Sequence, residues 1–278
     1  MGNLDGRVAI VTGASRGLGR DIAVSLAAAG AHVVAVARTD SEGMSRIPGT
    51  LAETVSAIQN AGGEATAMHC DVTSEADIAD VVSQTASAHG RIDILVNNAG
   101  VLVPGSTAEL ASRHWQLIFR VNVEGPFMFS KAVIPHLKAA GGGHIVNISS
   151  RAAIFPGPGP YPSDIRSGGV AYGTTKAALE RFSQGLAQEV CADRISVNAL
   201  SPHLINWSEG GHYFRTQQGE PNYSGWRMSG AIIGDAVVVI CEQEPGSYTG
   251  NILYDELVMR NEGGLSDAEI ARRYPVEP

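Results

Sequence analysis

The chain reads as an α/β protein, a doubly wound parallel sheet of about seven strands in one domain over residues 1–278. Three observations lead there. Short apolar runs alternate with helical stretches at a steady rhythm, which builds a parallel sheet covered by helices on both faces. A glycine-rich turn joins the first apolar run to the first helical stretch, where such proteins place an anion. No linker, composition shift or internal repeat divides the 278 residues.

The elements follow in order. RVAIVTG (7–13) is an apolar run ending in a turn. GLGRDIAVSLAAAG (17–30) is a helix with Ala, Leu and Ile on one face, closed by Gly30. AHVVAVAR (31–38) is a second buried strand, and TLAETVSAIQNAGG (50–63) a second helix. EATAMHCDV (64–72) is the third strand. Ser74 with Asp77 starts the third helix, SEADIADVVSQTASAHG (74–90). RIDILVNNAG (91–100) is the fourth strand, running into a turn. Residues 112–140 form one long helical stretch holding a Gly125-Pro126 pair. Residues 143–150 are the fifth strand, 171–190 a helix, 194–200 the sixth strand and 249–257 the seventh.

Two stretches break the rhythm. Residues 155–169, rich in Pro and Gly and holding Tyr161 and Arg166, form a loop. Residues 201–230 are long and aromatic, and Trp207, Tyr213, Phe214, Tyr223 and Trp226 suit a folded lid. In the tail, 260–278, Ser266 and Glu269 make a capping box that starts a short helix.

Composition excludes several roles. Apolar residues make up 44%, enough for a sizeable core, and the net charge is −8. The basic residues are scattered, so no nucleic-acid groove is expected. Cys70, Cys191 and Cys241 are far apart and odd in number, which fits reduced thiols and no metal site. The N-terminus lacks a signal-peptide pattern, and Gly2 lacks the Ser/Thr of a myristoylation site. The most apolar stretch, AIIGDAVVVIC (231–241), is too short to span a bilayer and holds Asp235. A cytoplasmic protein without a membrane partner is the expectation.

The turn after the first strand runs Thr12-Gly13-Ala14-Ser15-Arg16-Gly17-Leu18-Gly19. Small residues let the backbone approach a pyrophosphate, and the helix N-terminus offers N–H groups to the anion. The ribose of a dinucleotide meets the end of the second strand. Ala37 stands where an NAD site has an acid, and Arg38 follows. A guanidinium suits a 2′-phosphate, so NADP is favoured over NAD, with Arg16 as a second positive charge. Asp40 keeps NAD open if the strand runs two residues longer. Further on, Tyr172 lies four residues before Lys176, on one helical face, whereas Tyr161 has Ile165 at that offset.

Thr12-Gly13-x-x-x-Gly17-x-Gly19, Asn97-Asn98-Ala99-Gly100, Ser150 and Tyr172-x-x-x-Lys176, in that order, resemble the short-chain dehydrogenase/reductase family over roughly residues 5–255. The resemblance implies a Rossmann fold and hydride transfer between NADP(H) and a secondary alcohol or ketone. It makes Tyr172 the acid/base. Lys176 would lower the tyrosine pKa and hold the nicotinamide ribose, and Ser150 would steady the substrate oxygen. Asn122 matches the family's helix-kinking asparagine. Strand alternation lets only one of Ser149 and Ser150 face the substrate; the family pattern favours Ser150, with Ser149 the alternative. By the same resemblance Gly13, Ser15, Arg16, Gly17, Leu18, Gly19 and Arg38 hold the cofactor, together with Asp71, Val72, Asn98, Ala99, Gly100, Tyr172, Lys176, Pro202 and Ile205. Asn97 is read as tying strands together.

Departures from the pattern are informative. His203 replaces the usual glycine after Pro202, and either lines the substrate site or turns to solvent. The 155–169 loop lengthens the gap between Ser150 and Tyr172 and is placed at the pocket mouth. Residues 39–54 and 247–264 are similar to citronellol/citronellal-dehydrogenase-like and hydroxysteroid-dehydrogenase-like members, and the first also to carveol-dehydrogenase-like ones. That similarity and the aromatic lid point to a bulky apolar substrate. The alternatives are a 3-oxoacyl-thioester reductase and a non-catalytic nicotinamide-dinucleotide-binding protein. The family further implies a homotetramer or homodimer through helices 112–138 and 172–190, with the tail helix reaching a neighbour.

Overall fold

The structure, a computed structural model, describes residues 3–41, 43–161, 169–216 and 223–277. At its centre is a seven-stranded parallel sheet in the order β3-β2-β1-β4-β5-β6-β7. The strands are β1 (Val8–Thr12), β2 (His32–Ala37), β3 (Glu64–His69), β4 (Ile94–Asn97), β5 (Gly143–Ile148), β6 (Ile195–Ser201) and β7 (Ile252–Tyr254). The helices are α1 (Gly17–Ala28), α2 (Leu51–Asn60), α3 (Glu75–His89), α4 (Ser112–Phe119), α5 (Gly125–Ala139) and α6 (Val170–Glu189). They continue with α7 (Glu209–Thr216), α8 (Ala231–Cys241), α9 (Asp255–Asn261) and α10 (Asp267–Arg273).

The inner strands are buried on both faces, which is why they read as unbroken apolar runs. One face packs around Ile22, Leu26, Ile233 and Val237 of α1 and α8. The other packs around Ile78, Phe129, Val133 and Leu186 of α3, α5 and α6. The strand order reverses between β1 and β4, so a crevice opens at their C-terminal ends, and the functional residues gather there.

The structure refines several expectations and corrects one, the length of the seventh strand. The stretch 112–140 is not one helix: α4 passes through a π-helical turn, Arg120–Glu124, into α5. Pro126 lacks the N–H that an α-helix would direct at the Asn122 carbonyl. The seventh strand is only three residues, because Asp255 begins a helix. The Asp255 carboxylate accepts the N–H groups of His203 and Glu256, both at 2.8 Å. Residues 231–241 form α8, which is buried against α1; a Cβ on Gly234 would lie 2.5 Å from Ser25 Oγ.

The tail helix α10 packs on its own chain. Ile270 and Tyr274 are buried, and the Tyr274 hydroxyl donates to Asp235 Oδ2 at 2.6 Å. Beyond α10, Val276 bridges antiparallel to Arg227, which bridges parallel to Asn206. The buried Arg227 guanidinium reaches the Tyr274 carbonyl and Glu256. The tail thus fastens the end of the 201–230 lid. Among the described residues, no helix is long and apolar enough to cross a membrane.

Candidate active site

The turn between β1 and α1 is built on close approach. Gly13 and Gly17 have φ of 68° and 54°, the left-handed region that glycine enters freely. A Cβ on Gly19 would lie 2.2 Å from the Gly13 carbonyl oxygen and 2.4 Å from Asn98 Nδ2, so only glycine fits. Thr12 Oγ1 accepts the N–H groups of Asn98 and Ala99, both at 3.0 Å. The Asn98 amide donates to the Thr12 carbonyl at 2.8 Å. The ends of β1 and β4 are locked together, and the start of α1 faces the crevice with Ser15 buried and Leu18 half-buried beside it.

Two guanidinium groups border this turn. Arg16 Nη2 donates to the Gly49 carbonyl at 2.7 Å, while its Nε is buried with no partner. Burial lowers the Arg16 pKa; nearby Glu209 opposes the shift and Arg38 adds to it. Arg38 is exposed at the end of β2. Asp40 is turned toward β3, its Oδ2 3.0 Å from His69 Nδ1.

Further along the crevice, Asp71 Oδ1 accepts the N–H and hydroxyl of Thr73 at 2.9 Å, and Val72 is buried against Gly125. The Asn98 side chain and the Ala99 N–H are committed to the turn, while Gly100 is exposed. Asn97 donates to Asn147 Oδ1 at 2.8 Å, tying β4 to β5. After β6, Pro202 is half-buried and Ile205 exposed. The Ile205 carbonyl accepts the Arg227 N–H at 3.0 Å.

The four residues singled out for chemistry converge beside β5. The buried Asn122 accepts the Val101 N–H at 2.8 Å and donates to the Val101 carbonyl at 3.0 Å and Thr175 Oγ1 at 3.1 Å. It thereby clamps the loop after β4 to α6. Ser150 lies beside the Tyr172 hydroxyl and favours its ionised form. Lys176, one turn on, is buried, donates to the Ile148 carbonyl at 2.7 Å and lies 5.6 Å from the Tyr172 ring centroid. Ser149 points the other way and donates to Glu180 Oε1 at 2.7 Å. The pair of serines is resolved by that bond: Ser150 is the one beside Tyr172.

Burial pushes the Tyr172 pKa up, and the neighbouring Ser150 partly opposes it. The Lys176 ammonium is directed at the Ile148 carbonyl. Burial also pulls the Lys176 pKa down to about 8, against the raising effect of Glu180. Glu180 itself is buried and shifted up. Two acids, Glu180 and Glu209, thus belong to the site without having been marked in the sequence. Glu180 was findable, because it repeats the four-residue step Tyr172-Lys176 once more. Glu209 left no local signal.

Two hollows are lined by chain neighbours of Ser150 and Tyr172. One is lined by Gly105, Leu110, Trp115, Gln116 and Ala171, next to Tyr172. The other is lined by Arg151, Ile154, His203, Tyr254 and Leu257. His203 therefore lines a hollow, its ring edge-on to Tyr254 at 5.9 Å. Tyr161 is exposed and bonded within its own loop to the Gly157 carbonyl, and Arg166 lies outside the described residues. Among the described residues, no cluster of His, Cys, Asp or Glu would hold a metal ion.

A family model described as short chain dehydrogenase matches residues 7–218. The hydroxysteroid dehydrogenase-like protein 2 of Danio rerio is 32% identical over 286 aligned residues, which take in 100% of this chain. The chain spans 62% of that relative's length. A short chain dehydrogenase of Mycobacterium thermoresistibile has a TM-score of 0.79 at 30% identity, covering 94% of this chain and 89% of that one. A metagenomic short-chain oxidoreductase in complex with NADP has a TM-score of 0.71 at 30% identity, covering 91% and 97%.

Proposed function

Since the chain belongs to the short-chain dehydrogenase family, whose members are oxidoreductases, we propose that it interconverts a secondary alcohol and a ketone with NADP as its cofactor. The observation that carries this reading is Ser150 beside Tyr172, one helical turn from the buried Lys176. In reduction, the Tyr172 hydroxyl gives its proton to the carbonyl oxygen as charge develops there. Ser150 holds the same oxygen. Lys176 places a positive charge behind the phenolate that remains.

The residues fit a nicotinamide dinucleotide. The Gly13–Gly19 contact leaves a cradle that any side chain would fill, and α1 directs its N-terminus into it. Arg16 and Arg38 supply the charge a 2′-phosphate needs, and Asp40 is engaged with His69. When bound, the cofactor supplies the hydride. Gly17, Leu18 and Gly19 would hold its pyrophosphate, and Lys176, Pro202 and Ile205 its nicotinamide end. The hollow around Leu110, Trp115 and Ala171 supports a bulky apolar substrate. Trp115, Leu117 and Phe127 remain exposed on α4 and α5, which supports association of copies through these helices.

The test is loss of reduced-nicotinamide absorbance with NADPH and NADH over cyclic, terpenoid and steroid ketones, with Tyr172→Phe alongside. Turnover with NADPH that falls at least about a hundredfold in the variant is the expected result. Turnover that survives the substitution would overturn the tyrosine's role.

A further inference from the structure

We propose that Glu209 is a latch: it seats the chain's own carboxylate where the cofactor's pyrophosphate would bind, so the start of α7 and the cofactor compete for one place. This rests on the dinucleotide reading of the turn. Glu209 Oε2 accepts the Gly17 N–H at 2.8 Å, and Oε1 pairs with Arg20 Nη1 at 3.0 Å. The side chain is only 11% exposed. Arg16 also feels its charge. Ser208 closes over the same spot, since a Cβ on Gly17 would lie 3.0 Å from Ser208 Cβ.

The first N–H of α1, the positive end of its dipole and guanidinium groups on both flanks therefore already serve an anion. A diphosphate at this turn needs the same donors and carries the same sign of charge. The two anions repel at contact distance, so binding the cofactor requires Glu209 to leave. The other end of the lid is anchored independently. The Gly230 N–H donates to Asp21 Oδ2 at 2.8 Å, and Arg227 is held by Ile205 and the tail. Release of Glu209 therefore moves the start of α7 while the far anchors stay in place.

Sequence position alone gives Glu209 no such role; the contact joins residues 192 apart. The experiment is an equilibrium titration of NADPH and NADH, followed by nicotinamide fluorescence, on wild type, Glu209→Gln and Glu209→Ala. Amide hydrogen exchange of residues 209–216 is recorded with and without NADPH. Glu209→Gln keeps a neutral acceptor for the Gly17 N–H and guards against a folding defect in the alanine variant, with thermal melts as the check. The expected result is NADPH binding about fivefold tighter in Glu209→Ala, with Glu209→Gln between it and wild type. Exchange in α7 should rise with NADPH in wild type and be high from the start in Glu209→Ala. Affinity that is unchanged or weaker in both folded variants would overturn the latch while leaving the cofactor reading intact. Absence of dinucleotide binding in all three folded proteins would overturn the cofactor reading, and the latch with it.

Discussion

Ser149 and Ser150 sit side by side at the end of β5 and face opposite ways. Ser150 meets Tyr172, whereas Ser149 meets Glu180. Alternation along the strand was legible in the sequence; the identity of each partner was not, because Glu180 is 31 residues from Ser149. Glu180 links the strand end to α6 and puts a carboxylate near Lys176, whose pKa burial has already pulled down to about 8. We expect Glu180→Gln to lower that pKa further, since the opposing charge is gone while an acceptor for Ser149 remains. The alkaline limb of the pH profile of kcat/KM should then move to lower pH. Ser149→Ala, which leaves the charge, should not move it. A pH series on the two variants checks this.

The β1–α1 turn and the π-helical turn hold the site at the scale of elements. The first was legible, because glycine spacing is a local property. At Gly19 a Cβ would strike the Gly13 carbonyl and Asn98. We expect Gly19→Ala to destabilise the protein by about 1–3 kcal/mol, measured by urea unfolding, and to abolish NADPH binding in a fluorescence titration. The π turn was legible as a Gly125-Pro126 break and, through the family resemblance, at Asn122, but the Asn122 clamp to Val101 across 21 residues was not. α8 escaped for a different reason: buried against α1 and the sheet, it is apolar on most sides and shows no single helical face.

For the whole molecule, the tail ties down the segment around Arg227. We expect deletion of residues 266–278 to cost about 2–4 kcal/mol as the burial of Ile270 and Tyr274 is lost. Hydrogen exchange should rise at 223–230, while sedimentation velocity should report an unchanged association state. A truncated chain that dissociates with its lid still protected would show the tail serving an interface. The sequence by itself determined the fold class, the run of strands and helices, the glycine turn and the Tyr172–Lys176 pair. Each of these is written in local periodicity or in spacings of a few residues, which backbone geometry turns directly into shape. Only the tertiary structure decided that Ser150 rather than Ser149 meets Tyr172, that Glu180 backs Lys176, that the tail fastens the lid and that Glu209 caps α1. Apart from Glu180, which sits one further four-residue step from Lys176, those contacts join side chains 22 to nearly two hundred residues apart. They are selected by the packing of the finished sheet and its helices, which leaves no repeating trace along the chain.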